Sequence, residues 1–154
     1  MLIAALAFAL GVGVYLADRP PFQPQWRLPR VWPTGLPGFG VLGAWLPSFV
    51  HPFAFSLLTA AALPAGATPR FGPCVLWTGV NLAFEWGQHP SIREWLAPVL
   101  HRVLDPVGLG KPLANYVLRG TFDAGDLAAV FLGGLAAAVL LRLTTLAEER
   151  RHAH

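Results

Sequence analysis

Apolar residues along this chain are grouped into four long blocks, separated by segments rich in proline, glycine and charge. The blocks lie near residues 1–17, 41–63, 74–88 and 125–143. A helix rises 1.5 Å per residue, so such blocks cover roughly 22 to 35 Å, close to the hydrocarbon thickness of a bilayer. The pattern predicts an all-α integral membrane protein with about four transmembrane helices. These form a single helical domain over residues 1–146, followed by a solvated tail at 147–154.

Two connections between the blocks have a character of their own. Residues 18–40 contain six prolines, which exclude a regular helix, and two tryptophans close to two arginines. This segment is either a surface-lying interfacial stretch or an ordinary proline-rich loop. Apolar residues recur at helical spacing over residues 91–104, which predicts an amphipathic helix at the interface, broken or bent near Pro98. The "DPVGLGKP" that follows is typical of turns.

Composition and charge support a membrane location. Hydrophobic residues make up 55% of the chain and charged residues 12%, about half the charged fraction of an average soluble domain. The net charge is +3, but the basic residues lie between or beyond the apolar blocks rather than in one stripe, which argues against nucleic-acid binding. Seven of the eleven basic residues fall in the first and third connections, so the positive-inside rule predicts that these connections are cytoplasmic.

A few polar residues stand within or beside the apolar blocks, where they are costly and often functional. The candidates for ligand binding are His51, Asn81, Glu85, Gln88, Arg119, Asp123 and Asp126. Offsets of four and three residues place Asn81, Glu85 and Gln88 on one helical face. This face must turn toward the bundle interior, either as a structural hydrogen-bond cluster or as a polar pocket.

The aspartate pair has a local explanation as well. If Asp123 is the N-cap of the last helix, Asp126 stands at the third helical position, an acidic variant of the capping box. Both charges then complement the positive end of the helix dipole. Arg119 lies close enough upstream to pair with one of the two carboxylates.

Catalytic and metal-binding signatures are not found in the sequence. His51, Glu85 and one aspartate could in principle ligate a metal, but no H-x-x-x-H or E-x-x-H spacing among them supports such a site, and no G-x-S-x-G motif marks a nucleophile. Cys74 is the single cysteine, so no intrachain disulfide is possible. The sequence therefore predicts no cofactor, no metal and no catalytic residue.

Three segments occur in an order that resembles the VanZ-like family of small bacterial membrane proteins. They are "LPSFVHPFAFSLLTAA", "NLAFEWGQ" and "RGTFDAGDLAAVFLGG", which carry His51, Glu85 with Gln88, and the aspartate pair. The family places an asparagine four residues after the second aspartate and a later glycine, where this chain has Val130 and Ala137. The resemblance implies a four-span fold in the bacterial cytoplasmic membrane and a link to glycopeptide resistance, but no reaction.

Three functions are consistent with these observations. The first is a non-enzymatic envelope protein whose polar pocket, near one membrane face, binds a lipid headgroup or a cell-wall-related amphiphile. The second is a structural or accessory subunit that associates with other membrane proteins. The third is a small membrane enzyme or transporter, which is disfavoured because paired broken helices are not evident.

Overall fold

The computed structural model describes residues 2–18, 40–63 and 71–152, and these residues are helical apart from short connections. The α-helices are α1 (Leu2–Asp18), α2 (Gly40–Ala62), α3 (Gly72–Gly87), α4 (Pro90–Leu104), α5 (Gly110–Arg119) and α6 (Ala124–His152). A short 3-10 helix over Asp105–Val107 connects α4 to α5. The all-helical class is confirmed for this part of the chain. Most of the proline-rich segment 18–40 lies outside the described residues.

Helices α1, α2, α3 and α6 lie on the four apolar blocks. Of the described helices, two are long and apolar enough to cross a membrane: α2 over Gly43–Ala62 and α6 over Ala124–Arg151. Helix α1 is apolar but shorter. Length and composition therefore give two candidate spans among the described residues, and crossing by α1 and α3 stays a prediction.

The region around α4 and α5 excludes a broken helix at Pro98 and contains a helix that the sequence does not predict. Helix α4 runs without a break through Pro98, which is exposed, so that the carbonyl freed by the missing N–H lies on the outer side. The expected turn-rich stretch is a turn only as far as Leu109, with Gly108 in the left-handed conformation, and α5 begins at Gly110. A side chain at Gly110 would collide with the backbone of His101 and Asp105, so this glycine allows α5 to fold back against α4.

The expected tail also differs, because α6 continues to His152 instead of ending near residue 146. Residues 147–151 are exposed, as a solvated segment should be, but they are helical. Alanine, glutamate and arginine, which make up these residues, are strong helix formers and extend the helix into solvent.

Helix α2 lies at the centre and packs against α1, α3 and α6. Gly11 and Phe8 of α1 meet Val50 and Phe55 of α2 in reversed order, so these two helices are antiparallel. Helix α6 runs parallel to α2, because Asp126 and Gly133 of α6 meet Ser48 and Phe49 of α2 in the same order.

Helix α3 runs antiparallel to α2 and α6. Pro73, at the start of α3, lies beside Ser56 in the second half of α2. Thr78, further along α3, contacts Gly134 of α6, whose neighbour Gly133 lies against Phe49 in the first half of α2. The four helices on the apolar blocks therefore alternate in direction. The end of α3 and the start of α6 lie at the same end of this bundle, where the α4–α5 hairpin joins them; we call this the hairpin end.

Small residues allow the helices to approach closely. Ala54 of α2 and Ala137 of α6 are fully buried. The backbone of α2 at Phe49 lies directly over Gly133, and the Thr78 hydroxyl lies over Gly134. Packing through glycine and alanine is typical of helices associating within a membrane, where apolar burial alone provides no driving force between helices.

Candidate functional site

The two aspartates lie at the first turn of α6, at the hairpin end. The Gly125 N–H donates to Asp123 Oδ1 at 2.8 Å, and the Asp126 and Leu127 N–H groups donate to the Asp123 carbonyl. Asp123 is therefore the N-cap residue that the sequence predicts, and Asp126 stands at the third helical position. Their charges face the positive end of the helix dipole.

Each aspartate also accepts a hydrogen bond from α2. Ser48 Oγ donates to Asp126 Oδ1 at 2.7 Å in a half-buried setting, and Trp45 Nε1 donates to Asp123 Oδ2 at 3.4 Å in an exposed one. Sequence reasoning missed both donors. The sequence signal that could have found them is a matched spacing: the two donors stand three residues apart in α2, as the two aspartates do at the start of α6. That match acquires meaning only once α2 and α6 are known to run parallel.

A glycine fixes the tryptophan in place. The Trp45 indole packs on Gly125, where a Cβ atom would overlap its ring. The indole therefore lies over the first turn of α6, and its N–H is held at the N-cap carboxylate. Trp45 is two-fifths exposed, so its outer edge remains accessible.

The end of α3 closes the same region from another side. Gln88 is the C-cap of α3, is buried, and packs its side chain on Gly120. The next residue, His89, meets the Phe122 ring edge-on with 4.8 Å between ring centres. Gly120 and Phe122 lie three residues and one residue before Asp123, so these contacts bring Gln88 to the N-terminus of α6.

The other predicted residues of α3 approach the hairpin end along that helix. Asn81 Nδ2 donates to the Trp77 carbonyl at 2.8 Å, a bond within its own helix. Glu85, half-buried, lies one turn further toward the hairpin end and two turns beyond Trp77. The Trp77 indole N–H donates to Thr59 of α2, which holds α3 against α2 nearer the end of the bundle opposite the hairpin.

His51 and Arg119 occupy outer positions. The His51 side chain is exposed on α2 and stacks on Phe55 with 6.0 Å between ring centres. Arg119 is exposed at the end of α5. The structure therefore gathers Gln88, Asp123 and Asp126 at the α6 N-terminus, together with Trp45 and Ser48, and leaves the His51 and Arg119 side chains at the periphery. An ion pair between Arg119 and an aspartate stays a prediction.

Replacing the cap residue tests the arrangement directly. We expect Asp123→Ala to lower the free energy of unfolding by about 0.5–2 kcal/mol, because α6 loses its N-cap acceptor. Asp123→Asn retains an acceptor and should recover most of that loss. Thermal unfolding of the three purified proteins, followed by circular dichroism in detergent, measures both effects. Equal destabilisation by alanine and asparagine would show that the charge matters more than the cap.

Within the described ranges, no group of three or more His, Cys, Asp or Glu side chains is placed to hold a metal ion. The polar groups at the α6 N-terminus are carboxylates, an amide, a hydroxyl and an indole N–H, a set suited to hydrogen bonding. Comparison of this chain with protein families, with curated proteins and with solved structures finds no match.

Proposed function

We propose that this chain is a non-enzymatic, four-span protein of the bacterial cytoplasmic membrane that binds an amphiphile at its hairpin end. The ligand is a lipid headgroup or a related amphiphile of cell-wall chemistry, with its chain lying along α6. The resemblance to the VanZ-like family motivates the bacterial and envelope parts of this proposal. One observation carries the binding part: a polar cluster and an apolar groove adjoin along the same pair of helices.

Exposed apolar surface supports crossing by the shorter helices. Leu2 and Leu6 of α1 are 72% and 60% exposed, and Val75 of α3 is 73% exposed. Exposed aliphatic side chains are unfavourable in water and are the normal outer surface of a helix in lipid. Because α1 and α3 alternate in direction with α2 and α6, one bilayer could contain all four helices.

The apolar groove lies along one side of the contact between α2 and α6. Its volume is about 530 Å³, and it is lined by Phe49, Leu132, Leu135, Ala136, Val139, Leu140 and Leu143. The α6 part of this lining runs from Leu132 to Leu143, or roughly 16 Å of helix. This lining is a shallow, open apolar surface, against which an acyl or prenyl chain would lie rather than be enclosed.

The groove leads toward the aspartates. Trp45 precedes Phe49 by one turn of α2 and packs on Gly125, two turns before Leu132, the first groove-lining residue of α6. A chain in the groove would therefore place its polar end near Trp45 and Asp123. An ionised carboxylate offers about four lone-pair directions, and the hydrogen bonds described above use only some of them. This chemistry favours a headgroup that carries hydroxyl or amine donors.

Binding is tested by thermal unfolding of the detergent-purified chain with added phosphatidylethanolamine, phosphatidylglycerol or a polyprenyl phosphate. We expect at least one of them to raise the melting temperature. Ala136→Phe, which fills the groove, should reduce that rise, as should Glu85→Gln if Glu85 faces the headgroup. Glu149→Gln, on the exposed end of α6, serves as the matched control for removal of a carboxylate and should respond like the wild type.

Two results would contradict this proposal. One is no stabilisation by any of the three amphiphiles. The other is a full response in Ala136→Phe, which would place any bound amphiphile outside the groove. Extraction of the chain from membranes by alkaline carbonate would separately contradict the spanning topology.

A structural or accessory role is the second candidate. It is favoured by the hydrogen bonds that both aspartates already accept from Gly125, Trp45 and Ser48, which give these carboxylates a purpose without any ligand. Purification in mild detergent distinguishes the two functions. A stable set of co-purifying membrane proteins supports the accessory role, whereas one small species that responds to an amphiphile supports binding.

A further inference from the structure

The α4–α5 hairpin leaves part of its apolar surface uncovered. On α4, Ala97 is buried against the hairpin's inner side, and Leu96 lies over Gly87 at the end of α3. Trp95, Val99 and Val103 form a stripe at four-residue spacing along the adjoining side, and all three are exposed. The apolar arc of α4 is therefore wider than the surface that α3 and α5 cover.

We propose that this stripe, with Val107 and Leu109 beyond it, lies in the headgroup region of the bilayer and that the hairpin binds anionic phospholipids there. The inference rests on the proposed membrane-spanning fold. It goes beyond the amphipathic helix expected from residues 91–104, because it includes the turn and α5 and names the lipid charge. The occupant of the stripe is the lipid surface itself.

Connectivity places the hairpin at the bilayer surface. It starts two residues after the end of α3 and ends a few residues before α6 begins, so both of its attachments are at the hairpin end. Gly87 at the end of α3 lies under Leu96 and Val117, which holds the hairpin there, and Gly110 locks α5 against α4, so that the two helices stay together. If α3 and α6 cross the bilayer, the hairpin cannot move away from that membrane face.

Charge favours anionic lipid as the partner. The hairpin, over residues 90–119, contains four basic residues and two acidic ones, a net charge of +2. Its acidic side chains lie beside partners within the hairpin, Glu94 beside Arg93 at 3.4 Å and Asp105 beside His101 at 3.9 Å. Arg102 and Lys111 are exposed, and Arg102 precedes the last residue of the stripe. Basic residues beside a tryptophan-bearing apolar stripe are typical of helices lying on anionic membranes.

Site-specific fluorescence in vesicles tests this placement. Single cysteines replace Val103 in the stripe, His101 on the polar side and Leu135 on α6, each in a Cys74→Ala background and labelled with an environment-sensitive dye. The quenchers are iodide in water and a lipid spin-labelled near its carbonyl end. The vesicles contain phosphatidylcholine alone or an equal mixture with phosphatidylglycerol. Thermal unfolding of Cys74→Ala verifies that the background folds.

We expect the label at Val103→Cys to be quenched by the spin-labelled lipid and shielded from iodide, and the label at His101→Cys to show the reverse. Phosphatidylglycerol should increase the lipid quenching at Val103→Cys. Arg102→Gln and Lys111→Gln should reverse that increase, by about fivefold in partitioning for each charge removed.

The label at Leu135→Cys distinguishes failure of the membrane-spanning fold from failure of the hairpin inference alone. Shielding of this position from iodide supports the spanning fold, and its exposure to iodide would contradict that fold and the inference together. If Leu135→Cys is shielded while Val103→Cys is quenched by iodide, only the hairpin inference fails. Shielding of Val103→Cys from both quenchers would mean that protein covers the stripe, and this too overturns the inference. Lipid quenching that is equal with and without phosphatidylglycerol would overturn the preference for anionic lipid.

Discussion

Gly133→Ala is expected to destabilise the bundle by about 1–3 kcal/mol, although alanine is the better helix former. A Cβ atom at this position would overlap the carbonyl oxygen of Phe49, which belongs to the backbone of α2 and cannot rotate away. The helices α2 and α6 would have to move apart along their whole contact. The separation would also strain the bond between Ser48 and Asp126, which spans the same contact.

Gly79→Ala provides the matched control for this prediction. Gly79 lies within α3, and a Cβ atom there would meet no atom within 4 Å. The same added methyl group should therefore leave stability unchanged or raise it by up to about 1 kcal/mol through helix propensity. Unfolding of the two variants and the wild type in a graded series of denaturing detergent measures the difference. Equal stability of Gly133→Ala and Gly79→Ala would show that α2 and α6 do not approach as closely as described.

The helices on the apolar blocks were predictable because a continuous apolar run has few alternatives to a buried or membrane helix. The helix α5 was not, because its start at Gly110 depends on contact with the backbone of His101 in α4 and of Asp105 in the 3-10 helix. A glycine within "DPVGLGKP" predicts a turn unless the contact of Gly110 with the backbone of His101 and Asp105 is known. The continuation of α6 to His152 is hard to predict for a different reason: charged residues mark the end of an apolar span, but here they prolong the helix into solvent.

In the candidate site, too, local sequence predicts some features, and others depend on the packing of distant helices. The capping role of Asp123 follows from local spacing, and the structure agrees with it. The donors Trp45 and Ser48 lie 78 residues away from their acceptors, and only the parallel packing of α2 and α6 brings them together. His51 was included for its position in an apolar block, yet it is exposed, since the side of α2 that carries it is not the side that packs on α6.

The bond between Ser48 and Asp126 is expected to contribute a coupling free energy of about 1.5 kcal/mol. The carboxylate is charged, the 2.7 Å distance is short, and the setting is half-buried, all of which strengthen a hydrogen bond. The value lies toward the upper end of what double-mutant cycles give for polar pairs in membrane proteins. Unfolding of Ser48→Ala, Asp126→Ala and the double variant, compared with the wild type, measures it, because the loss of the helix-dipole interaction cancels in the cycle.

The pair of Trp45 and Asp123 supplies an internal comparison for that cycle. Its bond is 3.4 Å long and exposed, so a cycle built on Trp45→Phe and Asp123→Ala should give a coupling below about 0.5 kcal/mol. Two unequal couplings would assign the inner aspartate to holding α2 against α6 and leave the outer one, next to the groove, available to a headgroup. If both couplings are large, both carboxylates serve the helix contact, and the accessory role becomes the better account of them. If the inner coupling is absent, Asp126 does not hold the two helices together, and the hydrogen bond with Ser48 contributes nothing to stability.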